Sequence, residues 1–115
     1  MPQKYCQKMK RFLHSDSGDR GWFIGQFERA VFKTAACEVA YQYNYAGEHC
    51  AAHTHKIATE INLIAQGAVN CSGEIFRTGE GFIMEPGDVC ECDYLEDTYT
   101  VVVKVPGVLN DKYLV

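Results

Sequence analysis

The chain has 115 residues, 47% apolar and 23% charged, with a net charge of −4. That is one domain, long enough to bury roughly two thirds of its unfolded surface. The negative balance provides no global basic field for nucleic acid or anionic lipid, and no apolar run reaches the roughly 18 residues of a membrane helix. Neither nucleic acid nor a membrane is an expected partner.

Residues 1–20 are mixed and polar, and read as an N-terminal arm ahead of a domain spanning 21–115. Lys4, Lys8, Lys10 and Arg11 form a local basic patch, read as a solvated face. The arm ends in the turn signal Ser15-Asp16-Ser17-Gly18-Asp19, and the isolated His14 reads as a surface histidine. No apolar run follows the early positive charges before Trp22, which argues against a secretory signal. The expected compartment is the cytoplasm, where thiols stay reduced. The six cysteines (Cys6, Cys37, Cys50, Cys71, Cys90 and Cys92) are accordingly expected as free thiols, and none forms a C-x-x-C pair.

From Trp22 onward, short apolar runs alternate with Gly, Asn, Asp or Pro punctuation. Strands are predicted over Trp22–Phe27, Glu38–Tyr45, around His53–His55, Glu60–Ala65, Ala68–Cys71, Glu74–Arg77, Gly81–Met84, Val89–Asp93 and Thr98–Val105. No segment carries a sustained helical apolar period. The fold class expected is all-β, a small barrel or sandwich with little helix. Ser72-Gly73, Thr78-Gly79-Glu80-Gly81 and Pro86-Gly87-Asp88 supply tight connections. Asp111, Lys112 and Tyr113 form a polar tail, expected to cap one barrel end.

Over Glu38–Tyr45 the alternation is clean. Val39, Tyr41, Tyr43 and Tyr45 share one face, and Glu38, Ala40, Gln42 and Asn44 the other. Two roles suit the tyrosines: lining a sugar-binding pocket, with Tyr41 and Tyr43 as substrate contacts, or packing a sheet face or subunit interface.

His53-Thr54-His55 places two imidazoles on one side of a strand. After Lys56-Ile57-Ala58-Thr59, Glu60 opens the next strand, with Asn62 on its face as a further candidate substrate contact. If these strands are antiparallel neighbours, Glu60 meets both histidines across the ladder. Two imidazoles and a carboxylate suit a divalent transition metal and leave positions open for water or substrate. An inward Glu without such a partner is costly to bury. His49 and Cys50, just before this group, read as structural or solvent-facing.

The run Gly47, five residues, His53-x-His55, four residues, Glu60, six residues, Gly67 resembles the first signature motif of the cupin superfamily, with every fixed position filled. The second motif is matched at Gly79 and Gly87, while Glu85 stands at its proline position, Cys90 at its third histidine and Tyr94 at its Asn. The resemblance implies a cupin β-barrel (jelly roll) with an internal divalent metal. By position the ligands would be His53, His55 and Glu60, with Cys90 as a fourth and Cys92 on the same strand face as a competitor. A sulfur ligand would favour zinc or iron ahead of nickel or manganese.

The resemblance further implies two functional classes. One is an enzyme of isomerase, epimerase or oxygenase type on a small carbohydrate-like or polar metabolite, with His53, His55 and Glu60 catalytic. The other is a non-catalytic metal- or metabolite-binding module. Some cupins use the His-x-His region for acid–base chemistry without a metal. A homodimer is expected, from the habit of small cupins and from edge strands that need cover.

Overall fold

The computed structural model describes residues 9–115; Lys4, Cys6 and Lys8 lie outside the described residues. A 3₁₀ turn at His14–Asp16 precedes the strands β1 (Trp22–Gly25), β2 (Phe32–Lys33), β3 (Glu38–Asn44), β4 (His49–Thr54), β5 (Thr59–Gln66) and β6 (Ala68–Cys71). The strands β7 (Glu74–Arg77), β8 (Gly81–Met84), β9 (Val89–Tyr94), β10 (Thr98–Val105) and β11 (Tyr113–Leu114) complete the fold. β6, β7, β8 and β10 have the bounds that the alternation and turn residues predict. The two-residue strands β2 and β11 carry too little pattern to be read from sequence, and exist because a longer partner pairs with them.

One sheet has six strands in the order β2-β1-β3-β10-β5-β8, and the other has five in the order β11-β4-β9-β6-β7. They face each other across a core that includes Ile64 and Met84 from the first sheet and Val69, Cys71, Cys90 and Cys92 from the second. The all-β jelly-roll expectation is met. A closed barrel is not: among the described residues no ladder joins the outer strands of one sheet to those of the other.

The alternation in the larger sheet is inverted relative to an ordinary sandwich. Facing inward are Glu38 on β3, Glu60 and Asn62 on β5, and Thr98 and Thr100 on β10, all buried. Facing outward are apolar rows. Val39, Val103, Ile61 and Ile83 stand side by side across four strands, and Tyr41, Val101 and Leu63 form the next row. Ile61, Leu63 and Ile83 are 40%, 45% and 61% exposed. Buried polar groups and an exposed apolar patch are the departures from a plain core that carry information. Here they set a polar interior face on the larger sheet against an exposed apolar outer face.

Phe12 and His14, from the described part of the arm, pack on the outer side of β1 and β3. The His14 ring packs edge-on against Phe23 and Tyr41, and its Nε2 lies 2.9 Å from the Gly21 carbonyl oxygen. Phe12 stacks on Phe23. Gly67, the closing glycine of the motif, joins β5 to β6 at φ +112°, where a Cβ would stand 2.5 Å from Thr98 Oγ1 and 2.6 Å from the Asp97 carbonyl oxygen. Only glycine is at ease in that backbone region and that space.

The C-terminal segment is not a surface cap. β11 pairs with β4, setting Leu114 opposite His53, and Asp111 just before it is 2% exposed. Its carboxylate accepts the backbone N–H groups of Lys56, Ile57 and Ala58 at 3.0, 3.1 and 2.9 Å. Burial pushes the Asp111 carboxyl upward, but these three donors outweigh it and hold it below its usual range.

A depressed carboxyl pKa stabilises the fold above the unfolded value of about 4 and loses that contribution as pH falls through the native value. Asp111→Ala leaves three turn N–H groups without their acceptor. It should cost roughly 3 kcal/mol at neutral pH. Urea denaturation at neutral and strongly acidic pH checks this: the gap between parent and variant should shrink toward acid. An equal gap at both pH values would contradict the role.

Candidate metal centre

The turn 55–58 carries the chain from one sheet to the other. β4 lies in the five-stranded sheet and β5 in the six-stranded one, so His53 and Glu60 are not ladder neighbours as the sequence reading supposes. Glu60 meets the histidines across the gap between the sheets. The register of β4 against β9 shifts between Cys50 and His53. A bulge there restores parity, so that Cys50 and His53, three apart in sequence, both line the interior.

His53, His55 and Glu60 are all buried, and one ligand atom from each lies within 4.8 Å of the others. Each imidazole is oriented by a backbone carbonyl. His55 Nδ1 lies 2.6 Å from the Asp111 oxygen, and His53 Nδ1 lies 3.1 Å from the Ala51 oxygen. A carbonyl only accepts, so both Nδ1 atoms are donors and the Nε2 atoms are left to face the site. Asn62 Nδ2 donates to Glu60 Oε1 at 3.1 Å, which orients the carboxylate.

His55 Nε2 and Glu60 Oε2 are 2.7 Å apart. With Nδ1 committed to Asp111, a neutral His55 would place two acceptors face to face. A proton or another cation must lie between them. The hydrogen bond to Glu60 raises the His55 pKa, against the opposing effect of burial. Burial pushes the Glu60 carboxyl up, and its bonds from His55 and Asn62 more than reverse that, leaving it ionised. Burial, helped by the charge of Lys112, lowers His53, so its imidazole is neutral at neutral pH. Two oriented imidazoles, one ionised carboxylate and a cation-demanding gap fit a divalent transition metal. The carbonyls and Asn62 supply the outer hydrogen bonds that such ligands need.

The group sits in a cavity of about 590 Å³. Glu38, Gln42, Thr100 and Lys104, on the same sheet as Glu60, also line it. Lys104 Nζ lies 3.8 Å from Glu38 Oε1 and 4.8 Å from the centre of the Trp22 ring. Thr100 Oγ1 is buried without a hydrogen-bond partner among the described residues. Arg20 and Lys112 also border the cavity. Lys104 and Glu38 were legible as charges on inward-facing strand positions, but the sequence reading did not use them. Asp111 gave no signal, because a single Asp in a polar tail looks like solvent-facing chain.

Two of the expected site residues stand elsewhere, and a third lines the cavity without its expected role. Tyr41 and Tyr43 lie on the outer face, where Tyr41 stacks on Tyr99 at 5.5 Å and Tyr43 tilts against Tyr99 at 4.7 Å. Strand parity excludes them from the cavity, since Glu38, Ala40 and Gln42 hold the inward positions of β3. Cys90 does line the cavity, directly opposite His53. Its sulfur, however, is joined to Cys71 in a disulfide, which overturns the free-thiol reading for this pair and removes Cys90 as a ligand while the bond stands. The reading failed because redox compartment says nothing about register. β6 and β9 are ladder neighbours, and the two Cα atoms come within 6.2 Å, inside the bridging range. Cys37, Cys50 and Cys92 are free. Burial pushes the Cys92 thiol up to about 12. His49 is a surface residue, 2.7 Å from Asp93 and 3.1 Å from Glu91.

No protein-family model matches the chain. No curated protein matches it. Solved structures do. A conserved protein with a double-stranded β-helix domain from Klebsiella pneumoniae aligns over 99% of this chain and 98% of its own, with a TM-score of 0.67 at 18% identity. The DMSP lyase DddQ from Ruegeria pomeroyi aligns over 90% of this chain and 59% of its own, with a TM-score of 0.65 at 21% identity. An RmlC-like cupin from Shewanella frigidimarina aligns over 68% and 72%, with a TM-score of 0.59 at 15% identity. Two facing, mostly antiparallel sheets and these structural likenesses agree that the chain has the cupin fold, a double-stranded β-helix.

Proposed function

We propose that this protein binds one divalent transition metal at His53, His55 and Glu60 and acts on a small, polar, carbohydrate-like metabolite, as an isomerase or epimerase. The observation that carries the reading is the 2.7 Å approach of His55 Nε2 to Glu60 Oε2, with the third ligand beside them, on the wall of a cavity large enough for a metabolite. Solved neighbours that carry enzyme names, the DMSP lyase among them, support a catalytic use of the fold.

A bound metal would supply Lewis acidity toward a carbonyl or hydroxyl oxygen. The chain's own groups do the rest. Thr100 Oγ1 and Gln42 offer hydrogen bonds to substrate hydroxyls. Lys104, Arg20 and Lys112 provide positive charge for an acidic substituent. The proton that an isomerisation moves would be accepted at Glu60 Oε1, the carboxylate oxygen that Asn62 orients. Asn62 thereby acts as a positioning residue for Glu60 as well as a candidate substrate contact.

With the Cys71–Cys90 disulfide in place, protein purified without chelator, reductant or affinity tag should contain close to one zinc or iron ion per chain by elemental analysis, with nickel or manganese as lesser outcomes. His55→Ala and Glu60→Ala should each lower metal affinity by at least a hundredfold, with the circular dichroism spectrum of a strand-rich fold retained. A sugar and keto-acid panel then separates the two functional classes. Turnover lost in His53→Ala and Glu60→Ala supports the enzyme, and binding without turnover supports a ligand-binding module. Metal affinity and ligand binding unchanged in both variants would remove the pocket as the functional site.

We infer also that the outer apolar face, with Ile61, Leu63 and Ile83 on three adjacent positions of the larger sheet, pairs with a second copy. Exposed apolar area of this kind is costly in water and marks an interface. Sedimentation at micromolar concentration should give twice the 12.9 kDa of the chain. Leu63→Glu should shift it to monomer, and a parent that sediments as a monomer would refute the pairing.

A further inference from the structure

Apart from His53, His55 and Glu60, the described residues contain a second group of metal-type donors. Cys71, Cys90 and Cys92 are all buried, with their sulfurs within 4.8 Å of one another. The sheet places them there. Cys71 on β6 stands opposite Cys92 on β9, and Cys90 lies two residues along β9 on the same face. Cys92 Sγ is 3.2 Å from both Cys71 Sγ and Cys90 Sγ. Cys50 on β4 stands opposite Cys92 from the other side, with its sulfur facing the cavity 3.8 Å from His53 Nδ1. Four cysteines thus project inward from three neighbouring strands. A single buried cysteine is a small apolar side chain. Filling a core needs bulk, and it gives no reason to gather sulfurs on one another.

We propose that Cys71, Cys90 and Cys92 form a sulfur-only site for a thiophilic d10 ion, zinc(II) or copper(I), distinct from the histidine–glutamate centre and opened or closed by the Cys71–Cys90 disulfide. Three thiolates on fixed strands match the preference of such ions for soft ligands. Ligands about 2.3 Å from a zinc ion stand roughly 3.7 to 4 Å from one another, so the sulfurs need to part only slightly once Cys71 and Cys90 are no longer joined. Copper(I) is satisfied by three sulfurs. Zinc takes a fourth ligand, and Cys50, paired opposite Cys92 on β4, offers a further thiol.

The two states exclude each other by electron count. In the closed state the Cys71–Cys90 bond occupies two of the three sulfurs. An external dithiol opens it: two electrons and two protons pass to Cys71 and Cys90, the sulfur–sulfur bond breaks, and the dithiol becomes its own disulfide. Entry of the ion then displaces the thiol protons to solvent.

The test uses the full chain, reduced with a phosphine and titrated with cobalt(II) as a spectroscopic stand-in for zinc, and in parallel with copper(I) against a competing chelator. Reduced protein should show a sulfur-to-metal charge-transfer band with at least one of the two ions, and the ion that gives it identifies the occupant. The band should persist in Glu60→Ala, which separates it from the histidine–glutamate centre. It should fall at least tenfold in Cys92→Ser and in Cys92→Ala, the second of which keeps the core apolar. Unreduced protein should lack the band and, after denaturation, should show two fewer titratable thiols than reduced protein. Metal uptake by the reduced chain without a sulfur band, or a band unchanged in both Cys92 variants, would overturn the proposal.

Discussion

The buried Asp111 is the constraint on which the site depends. Its carboxylate satisfies three consecutive N–H groups of the turn that crosses between the sheets, and its carbonyl oxygen fixes the ring of His55. A crossing turn is a place where backbone donors would otherwise be buried without partners, at a cost of a few kcal/mol. By binding both turn and ring, one residue sets the separation of His55 from Glu60. The C-terminal strand holds Asp111 in place by pairing with β4. Site geometry is therefore coupled to the last residues of the chain, far in sequence from the residues that carry the chemistry.

The larger sheet shows how a small sandwich makes room for that chemistry. Its interior face carries Glu38, Glu60, Asn62, Thr98, Thr100 and Lys104, and much of its apolar content is turned outward. The cost of burying those polar groups is offset by pairing: Glu60 with His55 and Asn62, Lys104 with Glu38, Thr98 with the backbone of Ala68. Thr100 is left over. An unpaired hydroxyl on a cavity wall is costly to the empty protein and becomes useful when a polar ligand enters. The outward apolar rows follow from the same parity, because a strand that points its polar residues in must point the alternate ones out.

The facing sheet divides its interior between two kinds of donor. Near the turn, β4 offers His53. Farther along, β9, β6 and β4 offer cysteines. Nitrogen and oxygen donors gather on one side and sulfur on the other, with Cys90 opposite His53 at the boundary. Hard and soft donors so separated favour different ions. The disulfide lies across the sulfur half, between Cys71 and Cys90, and the Glu60–His55 pair lies outside it.

Much of this was legible before any fold was known. Alternation and turn residues delimited β6, β7, β8 and β10, and the spacing of His53, His55 and Glu60 between Gly47 and Gly67 marked the centre. These features are local: strand period, turn chemistry and motif spacing are properties of neighbouring residues. The sequence also determined that the tyrosines of β3 share one face, but not which face turns inward, and the pocket role drawn for Tyr41 and Tyr43 failed there. Only the tertiary structure decided that β4 and β5 lie in opposite sheets, that Asp111 returns to hold His55, and that Cys90, though opposite His53, is bonded to Cys71. Each of these joins residues distant in the chain, and such contacts are set by sheet order and register, which no local pattern encodes.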